Sequence, residues 1–397
     1  MPPSLAPRRA ARLFVAAAGL AILVATLAPA GTELAPGWDT VIVGGDDALA
    51  DVVQNVLLFL PLGAALGLLG MRTLRLVALG ALLSFAVEFA QQWIPGRDPS
   101  FGDICFNTLG TALGGLLAYT APRWLTPPRR RAAWQSLGAA VGVVGVWFTT
   151  AWLFQAAPPA TPYVADLRPD LPHLGLYPGR VLTAALGPLP LAAGSHLDAA
   201  HAPLATGTVL RVVAVAGRTP PGRLAPLLAI TDERGKWVVL LSIDRRDLSL
   251  WFRTHSTDWR TDRPELRARG ALAAIAPGDT FAAAAWREHG AYCLALDSLR
   301  WCNRAYTLAD GWRLIFDLEH GSRLLLGLLG AGWLGGLLVP IGWWARRHWG
   351  SAAALVVAGG SLFAVPALTG LGPTPLPALI GALAGLALGA ALRLLLR

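Results

Sequence analysis

The chain has 397 residues, of which 54% are hydrophobic and only 14% are charged. A soluble globular protein is about 25% charged, so this composition excludes a purely soluble protein and predicts one that crosses a bilayer several times. The net charge of +9 does not indicate nucleic-acid binding, because many arginines lie in short segments beside apolar stretches, as in the positive-inside pattern.

Eight apolar stretches follow one another along the chain, and each is long enough to span a bilayer. Their approximate limits are 13–30, 52–70, 74–94, 103–121, 134–154, 323–344, 352–371 and 376–396. Arginines flank the ends that this order places on one side of the membrane, which predicts cytoplasmic termini at the plasma membrane. Ala28-Pro29-Ala30 also fits the A-x-A cleavage pattern, so a removed signal peptide is an alternative interpretation of the first span.

Residues 205–316 change to a period of two, which is typical of half-buried strands. Predicted strands include TVLRVVAVAG, LAPLLAIT, KWVVLLSI, LSLWFRTH, TFAAAAW, AYCLALD and LRWCNR. About eight to twelve short strands predict an antiparallel β-sandwich of the jelly-roll kind. The predicted fold is therefore an all-α membrane bundle with an inserted extracytoplasmic sandwich, divided into residues 1–155, 156–320 and 321–397.

Two cysteines flank a predicted hairpin. If Asp297 and Ser298 form a two-residue turn, Cys293 and Cys302 face each other at a non-hydrogen-bonded position of the strand pair. The Cα atoms of such a pair are about 4.5 Å apart, which a disulfide can bridge. We therefore predict a cross-strand disulfide in an oxidising compartment. No CxxC or His–Cys spacing points to a zinc site.

Three stretches of the outer domain, TVLRVVAVAG, KWVVLLSIDRRDLSLWFRT and GDTFAAAAWREHGAYCLALDSLRW, resemble the concanavalin A-like, laminin G-like sandwich superfamily. That resemblance implies a glycan-binding or protein-binding module. The carboxylate array of the hydrolytic members has no counterpart here, so the resemblance does not imply hydrolysis. Four tryptophans are candidates either for stacking on sugars or for filling the core: Trp237, Trp251, Trp259 and Trp286.

Polar side chains interrupt the second, third and fourth spans. An acidic residue at the centre of a bilayer helix costs about 2.5–3.5 kcal/mol on insertion scales, so it indicates either function or helix locking. The short loop at residues 95–102 makes spans three and four antiparallel neighbours, with their polar residues at the outer end. We expect these residues to form one polar cluster, consisting of Asn55, Glu88, Gln92, Arg97, Asp103 and Asn107.

Two interpretations of the polar cluster are open. In the first, Arg97 pairs with Asp103 or Glu88, the amides bridge helices and nothing binds. In the second, the cluster is an outward-opening pocket in which the Arg97 guanidinium binds phosphate and the carboxylates and amides hold hydroxyl or peptide groups. Should such a pocket support chemistry, Glu88 is the natural proton acceptor and Asp103 the second candidate catalytic residue.

Four pieces around the polar cluster carry a further resemblance: Gln54–Gly63 (QNVLLFLPLG), Glu88–Gln92 (EFAQQ), Pro95–Arg97 (PGR) and Asp103–Gly110 (DICFNTLG). With these pieces in this order, residues 10–122 resemble the VanZ-like family of bacterial membrane proteins. Its founding member is associated with resistance to the glycopeptide teicoplanin, so the resemblance implies a role in the cell envelope. Val87 and Asn55 stand where some members have an acid and a histidine, which weighs against acid–base chemistry.

The sequence favours a non-enzymatic envelope protein that binds a lipid-linked or wall-associated ligand at the outer leaflet. One alternative is a transferase or hydrolase that acts on a lipid headgroup. Another is a transporter, which ranks last because the polar cluster lies near one surface. The lipid bilayer is the expected partner, and no cofactor, metal or nucleic acid is expected. Glycine pairs at four-residue spacing favour packing within the bundle and leave dimerisation open.

Overall fold

The computed structural model describes residues 5–395, apart from residues 32, 35–36, 172–173, 199, 219–222, 263–264, 289–290 and 319–320. The predicted domain boundary at residue 320 and the predicted end of the last span at residue 396 lie outside the described residues. The chain folds into two compact units. The first is Met1–Ala132 with Arg260–Asp262, and the second is Ala133–Trp259 with Arg263–Arg397.

The first unit is built on four long apolar helices. These are α1 (Leu5–Leu27), α2 (Ala48–Leu68), α3 (Thr73–Gln91) and α4 (Phe101–Leu125). Each contains a stretch long and apolar enough to cross a membrane. The apolar core of the bundle is small and includes Ile22, Phe59 and Leu76, none of which is exposed. These helices confirm the first four predicted spans.

Glycines allow α2 and α4 to lie in close contact. A Cβ atom at Gly63 would overlap the carbonyl oxygen of Thr111, and one at Gly114 would overlap the carbonyl oxygen of Leu60. Helices in lipid associate mainly by van der Waals packing, which small residues improve by letting the backbones approach. The glycine spacing of these two helices therefore serves packing within the unit.

The second unit begins with most of α5 (Arg129–Leu153) and continues into a β-sandwich. Its described strands are β1 (Tyr163–Leu167), β2 (Arg180–Leu186), β3 (Leu189–Leu191), β4 (Ser195–Leu197), β5 (Leu210–Val215), β6 (Ala225–Asp232), β7 (Trp237–Asp244), β8 (Asp247–Phe252), β9 (Leu266–Ala268), β10 (Thr280–Glu288), β11 (Ala291–Leu296) and β12 (Leu299–Arg304). Two short helices, α6 (His201–Thr206) and α7 (His255–Asp258), lie among them.

The strands form two antiparallel six-stranded sheets, in the orders β4-β1-β6-β7-β8-β9 and β12-β11-β10-β5-β2-β3. Alternating side chains from both sheets, such as Leu241 from one and Val212 and Phe281 from the other, fill the core between them. All seven predicted strands are present, which confirms an antiparallel sandwich.

The hydroxyl of Tyr177 donates to the Val215 carbonyl oxygen at 2.9 Å, and burial raises the pKa of this phenol to about 12.

The tryptophans proposed to stack on sugars divide into two groups. Trp251 is only 5% exposed, and its ring lies 6.1 Å from that of Trp237 in a small apolar cluster on β7 and β8. Trp251 is therefore a core residue. Trp259 is 56% exposed and Trp286 is half-buried, so these two side chains are accessible.

The hairpin of β11 and β12 has the predicted register. Leu296 pairs with Leu299, Ala295 with Arg300 and Leu294 with Trp301, and the pairing then shifts at a bulge. Cys293 and Cys302 form a disulfide with their Cα atoms 4.1 Å apart, which confirms the predicted bond. Asp297 adopts a positive φ of 52° in the turn, and its carboxylate accepts a hydrogen bond from the Ala282 N–H at 2.8 Å.

Three helices complete the second unit: α8 (Arg323–Trp344), α9 (Trp349–Thr369) and α10 (Leu376–Leu395). They bring the described helices that are long and apolar enough to cross a membrane to eight, as predicted. Gly381, Gly385 and Gly389 of α10 lie directly against the backbone of α8, whereas a Cβ atom at Gly332 or Gly336 would have no described atom within 4 Å. The chain is thus a multi-pass membrane protein whose sandwich follows α5 and precedes α8 in the sequence.

Candidate functional site

The polar residues of the first unit lie where α3, α4 and the start of α2 meet. Glu88, on the last turn of α3, is only 1% exposed. Its carboxylate accepts a hydrogen bond from the backbone N–H of Ser100 at 3.0 Å. Ser100 is the N-cap of α4, and its hydroxyl accepts from the Gly102 N–H at 3.0 Å. The carboxylate of Glu88 is therefore held at a helix N-terminus, where the helix dipole favours negative charge.

Asp103 and Asn55 form the second contact of the cluster. The Nδ2 group of Asn55 donates to Oδ1 of Asp103 at 3.0 Å and so joins α2 to the first turn of α4. The negative charges of Asp51 and Asp39 also act on Asp103. The charges of both Asp103 and Arg97 act on Glu88. The two candidate catalytic carboxylates therefore share one electrostatic environment, in which acidic groups outnumber basic ones.

Asn107 lies one helical turn beyond Asp103 and is buried at the interface of α3 and α4. Its Nδ2 group donates to the Ser84 hydroxyl at 3.0 Å. The Oδ1 atom of Asn107 is buried and has no hydrogen-bond partner among the described residues. An unsatisfied buried acceptor costs about 1–3 kcal/mol, so this atom is a place where a donor from outside the protein would be stabilised.

Arg97 lies in the α3–α4 loop and contacts α1. Its Nε donates to the Ala28 carbonyl oxygen at 2.9 Å, and its Nη2 donates to that of Ala25 at 2.8 Å. The last carbonyl groups of a helix have no partners within that helix, and the helix dipole also stabilises a cation at this end. The Arg97 guanidinium thus caps the end of α1 and does not form an ion pair with a described carboxylate.

Gln91 and Gln92 have different environments. Gln91 is 6% exposed, and its Nε2 group donates to the Thr26 carbonyl oxygen of α1 at 3.1 Å. Gln92 follows the last residue of α3, is half-buried, and its side chain has no hydrogen bond to a described residue. Sequence reasoning chose Gln92 because it shares a face with Glu88, and it missed the roles of Gln91, Ser84 and Ser100. The spacing of four residues between Ser84 and Glu88 could have identified the serine.

The α1–α2 connection pairs with the α3–α4 loop through backbone hydrogen bonds. The Asp39 N–H donates to the Pro99 carbonyl oxygen at 2.8 Å, and the Phe101 N–H donates to that of Asp39 at 3.1 Å. The Gly96 N–H donates to the carbonyl oxygen of Glu33 at 2.6 Å. The connection thereby lies against the loop that carries Arg97 and against the start of α4. No periodic pattern in the sequence predicts this pairing.

A row of aromatic rings follows the same end of α3. The centroids of Phe85 and Phe89 are 6.3 Å apart, those of Phe89 and Trp93 are 4.9 Å apart, and Trp38 lies 5.0 Å from Phe101. Trp93 is 62% exposed. Tryptophan is enriched at the interface between membrane and water, where its apolar ring can contact lipid while its N–H forms a hydrogen bond with water. The row is what is expected of a helix end near a membrane surface.

One family comparison matches this part of the chain. The VanZ/LLP1 family model matches residues 12–122. These residues include α2, α3, most of α1 and of α4, and every residue of the polar cluster. We call this region the VanZ-like domain. No curated protein and no solved structure matches the chain.

The chemistry of the cluster in the VanZ-like domain is that of an acceptor-rich site. Glu88, Asp103 and Oδ1 of Asn107 offer oxygen atoms, whereas the described donors that bond to the two carboxylates are the backbone N–H of Ser100 and the amide of Asn55. The two Arg97 nitrogens that form hydrogen bonds are engaged with α1. Such a set suits a ligand group with N–H or O–H donors better than it suits a phosphate oxygen.

Proposed function

We propose that the VanZ-like domain binds the polar headgroup of an envelope component at the outer leaflet of the bacterial plasma membrane, without chemistry. The component is a lipid-linked or wall-associated molecule whose hydroxyl or amine groups donate to Glu88, Asp103 and Asn107. The observation that carries the proposal is the buried Oδ1 of Asn107, which has no hydrogen-bond partner among the described residues and lies one helical turn beyond Asp103 in α4. Buried polar groups in proteins are nearly always satisfied, so this atom requires a donor.

The location of the cluster supports a membrane-surface ligand. Its residues lie at the end of α3 and the start of α4, next to the exposed Trp93, and not at the middle of either helix. A headgroup could therefore meet the cluster while its apolar tail stays in the bilayer. The match to the VanZ/LLP1 family supports an envelope role, and glycopeptide resistance is the corresponding phenotype to examine.

The test is binding of the lipid-linked wall precursor to the full chain in nanodiscs, followed by native mass spectrometry. Glu88→Gln and Asp103→Asn keep the shape of each side chain and remove its charge, so we expect each to weaken binding about tenfold, as for the loss of one charge-assisted hydrogen bond. Asp98→Asn is the matched control, because Asp98 is exposed in the same loop and has no described partner.

Binding that is equal in wild type, Glu88→Gln and Asp103→Asn would overturn the proposed site. Loss of binding together with loss of folding would not count as support, so each variant is first compared with wild type by its SDS-induced unfolding. Expression in a teicoplanin-sensitive host then shows whether the same substitutions abolish any resistance that the wild-type chain confers.

The burial of Glu88 favours a second candidate, a membrane transferase or hydrolase acting on a lipid headgroup. A carboxylate that is 1% exposed and accepts one backbone hydrogen bond is a suitable general base. Turnover of an envelope lipid by the purified chain, lost in Glu88→Gln and retained in Asp98→Asn, would establish this reading. Absence of turnover under conditions where the lipid binds would eliminate it.

We also propose that the sandwich is extracytoplasmic, has a concanavalin A-like, laminin G-like jelly-roll topology, and binds glycan or a protein partner. Both termini then lie in the cytoplasm. The two six-stranded antiparallel sheets and the accessible Trp259 support a binding module. A glycan array probed with wild type and Trp259→Ala tests this idea, and equal signals from the two proteins would refute sugar stacking at Trp259.

A further inference from the structure

The sheet β12-β11-β10-β5-β2-β3 carries arginines on the face that points away from the core. Residues directly opposite each other on antiparallel neighbours lie on the same face of a sheet. One row of such pairs crosses four strands and consists of Arg300, Ala295, Ala284 and Arg211. The alternate residues of β10, Phe281, Ala283 and Ala285, belong to the core, so the row lies on the outer face. We call this surface the arginine face.

The arginine face is flat and its charges are widely spaced. Arg211 and Arg300 are three strand spacings apart, which is about 14 Å between their Cα atoms. Two alanines stand between them, so no long side chain rises there. Arg180 pairs with Val215, two pairs of residues along β5 from Arg211, and adds a third charge about 14 Å further along the strands. All three arginines are exposed.

The Arg300 side chain is held in place by an aromatic ring. Its guanidinium carbon lies 5.8 Å from the centre of the Trp286 ring, and Nε1 of Trp286 donates to Oε2 of Glu288 at 3.3 Å. An arginine that stacks on a ring keeps its N–H groups for hydrogen bonds in its own plane. The guanidinium groups of Arg180, Arg211 and Arg300 form no hydrogen bond or ion pair with a described residue. The face therefore presents unneutralised positive charge.

The size of the arginine face limits what can bind there. Between Arg211 and Arg300, and from Ala282 to Trp286 along β10, it measures about 14 Å by 14 Å, or about 200 Å². A stable protein partner usually buries about 800 Å² on each side, so this face is too small for one. The Trp286 ring already carries Arg300, which disfavours stacking on a sugar there. A thin chain with anionic groups in its backbone fits the remaining features, which are flatness and spaced charge.

We propose that the arginine face binds a phosphodiester-linked polymer of the cell envelope. Its phosphate groups would meet Arg211 and Arg300, with Arg180 extending the path. A guanidinium matches a phosphate group with two parallel hydrogen bonds, which is why arginine is common at phosphate sites. The inference rests on the extracytoplasmic location of the sandwich proposed above, because the polymer lies outside the plasma membrane.

Fluorescence anisotropy tests the proposal with a labelled glycerol phosphate oligomer and the full chain in phosphatidylcholine nanodiscs, whose lipid has no net charge. We expect Arg211→Gln and Arg300→Gln each to raise the Kd about threefold to fivefold, as for the loss of one exposed ion pair. Arg234→Gln removes the same charge from an exposed turn of the other sheet and should leave the Kd unchanged. Equal effects of all three substitutions would indicate attraction to net charge alone and would overturn the site.

A pair of substitutions at one position separates charge from bulk. Ala284→Glu places a carboxylate between Arg211 and Arg300 and should abolish binding, whereas Ala284→Gln adds almost the same volume without charge and should weaken it less. Equal Kd values for the two folded variants would contradict the proposal. If either variant does not fold, the arginine substitutions decide.

A second polymer tests the choice of phosphate. Polygalacturonate carries carboxylates on sugar rings, and binding of this polymer as tight as that of the oligomer would refute a phosphodiester ligand. No binding of the oligomer at low salt would overturn the inference and would leave the location of the sandwich untouched. That location is tested separately by cysteine labelling in cells, and a cytosolic sandwich would remove the premise that both proposals share.

Discussion

At the scale of single residues, Arg97 shows how a charge near a membrane surface can serve the fold. Its guanidinium donates to two carbonyl oxygens at the end of α1, Ala25 and Ala28. Hydrogen bonds to charged groups contribute about 1.5–3 kcal/mol when buried and less when partly exposed. We expect Arg97→Ala to lower the free energy of unfolding by about 1–2 kcal/mol, measured by SDS titration in mixed micelles.

Two companion variants sharpen the Arg97 prediction. Arg97→Lys should recover part of the loss, because an ammonium can still reach a carbonyl but lacks the planar fork. Asp98→Ala should have wild-type stability, since the Asp98 side chain is exposed and has no described contact. Wild-type stability in Arg97→Ala would mean that the two hydrogen bonds contribute little and that the guanidinium is available for a ligand.

Tyr177 makes a pH-dependent contribution to the sandwich. Burial raises its pKa from 10.0 to about 12 in the folded chain. The folded state therefore holds the proton more tightly than the unfolded state, so the contribution is fully present below pH 10 and is lost as pH rises towards about 12. Thermal unfolding of wild type and Tyr177→Phe between pH 8 and pH 12 should show the wild type losing its advantage in this window. Parallel curves across the window would contradict the assignment.

The site residues could be predicted from the sequence only in part. Acidic and amide residues within apolar spans are conspicuous, so Asn55, Glu88, Asp103 and Asn107 were identifiable without coordinates. Their individual partners were not. The choice between Gln91 and Gln92 depends on where α3 ends, and a pattern fixes helix ends only to within a few residues. The partners of Arg97 are backbone carbonyls of another helix, which carry no sequence signal.

At the scale of elements, the contact between α2 and α4 depends on glycine. We expect Gly114→Ala to destabilise the first unit by about 1–3 kcal/mol, because the new methyl group would overlap the Leu60 carbonyl oxygen and separate the helices. Gly19→Ala in α1 is the control, since its methyl group would have no described atom within 4 Å. That variant should be neutral or slightly stabilising, because alanine favours helix over glycine. Equal SDS-unfolding midpoints for the two variants would disprove the packing argument.

Long periodic elements were predictable and short ones were not. The eight apolar helices are each long enough to cross a bilayer, so their length and composition identify them in the sequence. The strands β5 to β8 and β10 to β12 are recognisable because their apolar residues alternate or form continuous runs. The sequence did not locate β1 to β4 or β9, three of which have only three residues each. A strand that short is stabilised by its neighbours in the sheet and not by a pattern of its own.

At the scale of the whole molecule, the disulfide reports which side of the membrane holds the sandwich. The chain has three cysteines, of which Cys105 is free and exposed. If the sandwich lies outside the cytoplasm, as proposed above, the bond between Cys293 and Cys302 persists in the cell. In cells denatured with SDS, we then expect maleimide-PEG to add one group per chain before reduction and three after it. Three groups before reduction would place the sandwich in the cytosol.

Loss of the same bond should also weaken the sandwich. It closes a loop with a sequence separation of only 9, for which chain-entropy estimates give about 2–3 kcal/mol. Paired substitution of Cys293 and Cys302 by serine should therefore lower the unfolding temperature of the sandwich. Cys105→Ser should leave it unchanged, because Cys105 lies in α4 and outside the sandwich.

The helix α1 is part of the bundle and not merely a leader to it. Ile22 is fully buried, and the last turn of α1 supplies the carbonyl groups for both Arg97 and Gln91. A protease that cut after Ala30 and released this helix would leave the Arg97 guanidinium and the Gln91 amide without these acceptors, and would expose the apolar face of Phe59 that α1 helps to cover. Maturation of the chain is therefore expected to retain its first helix, so that an N-terminal tag would stay attached to the assembled protein.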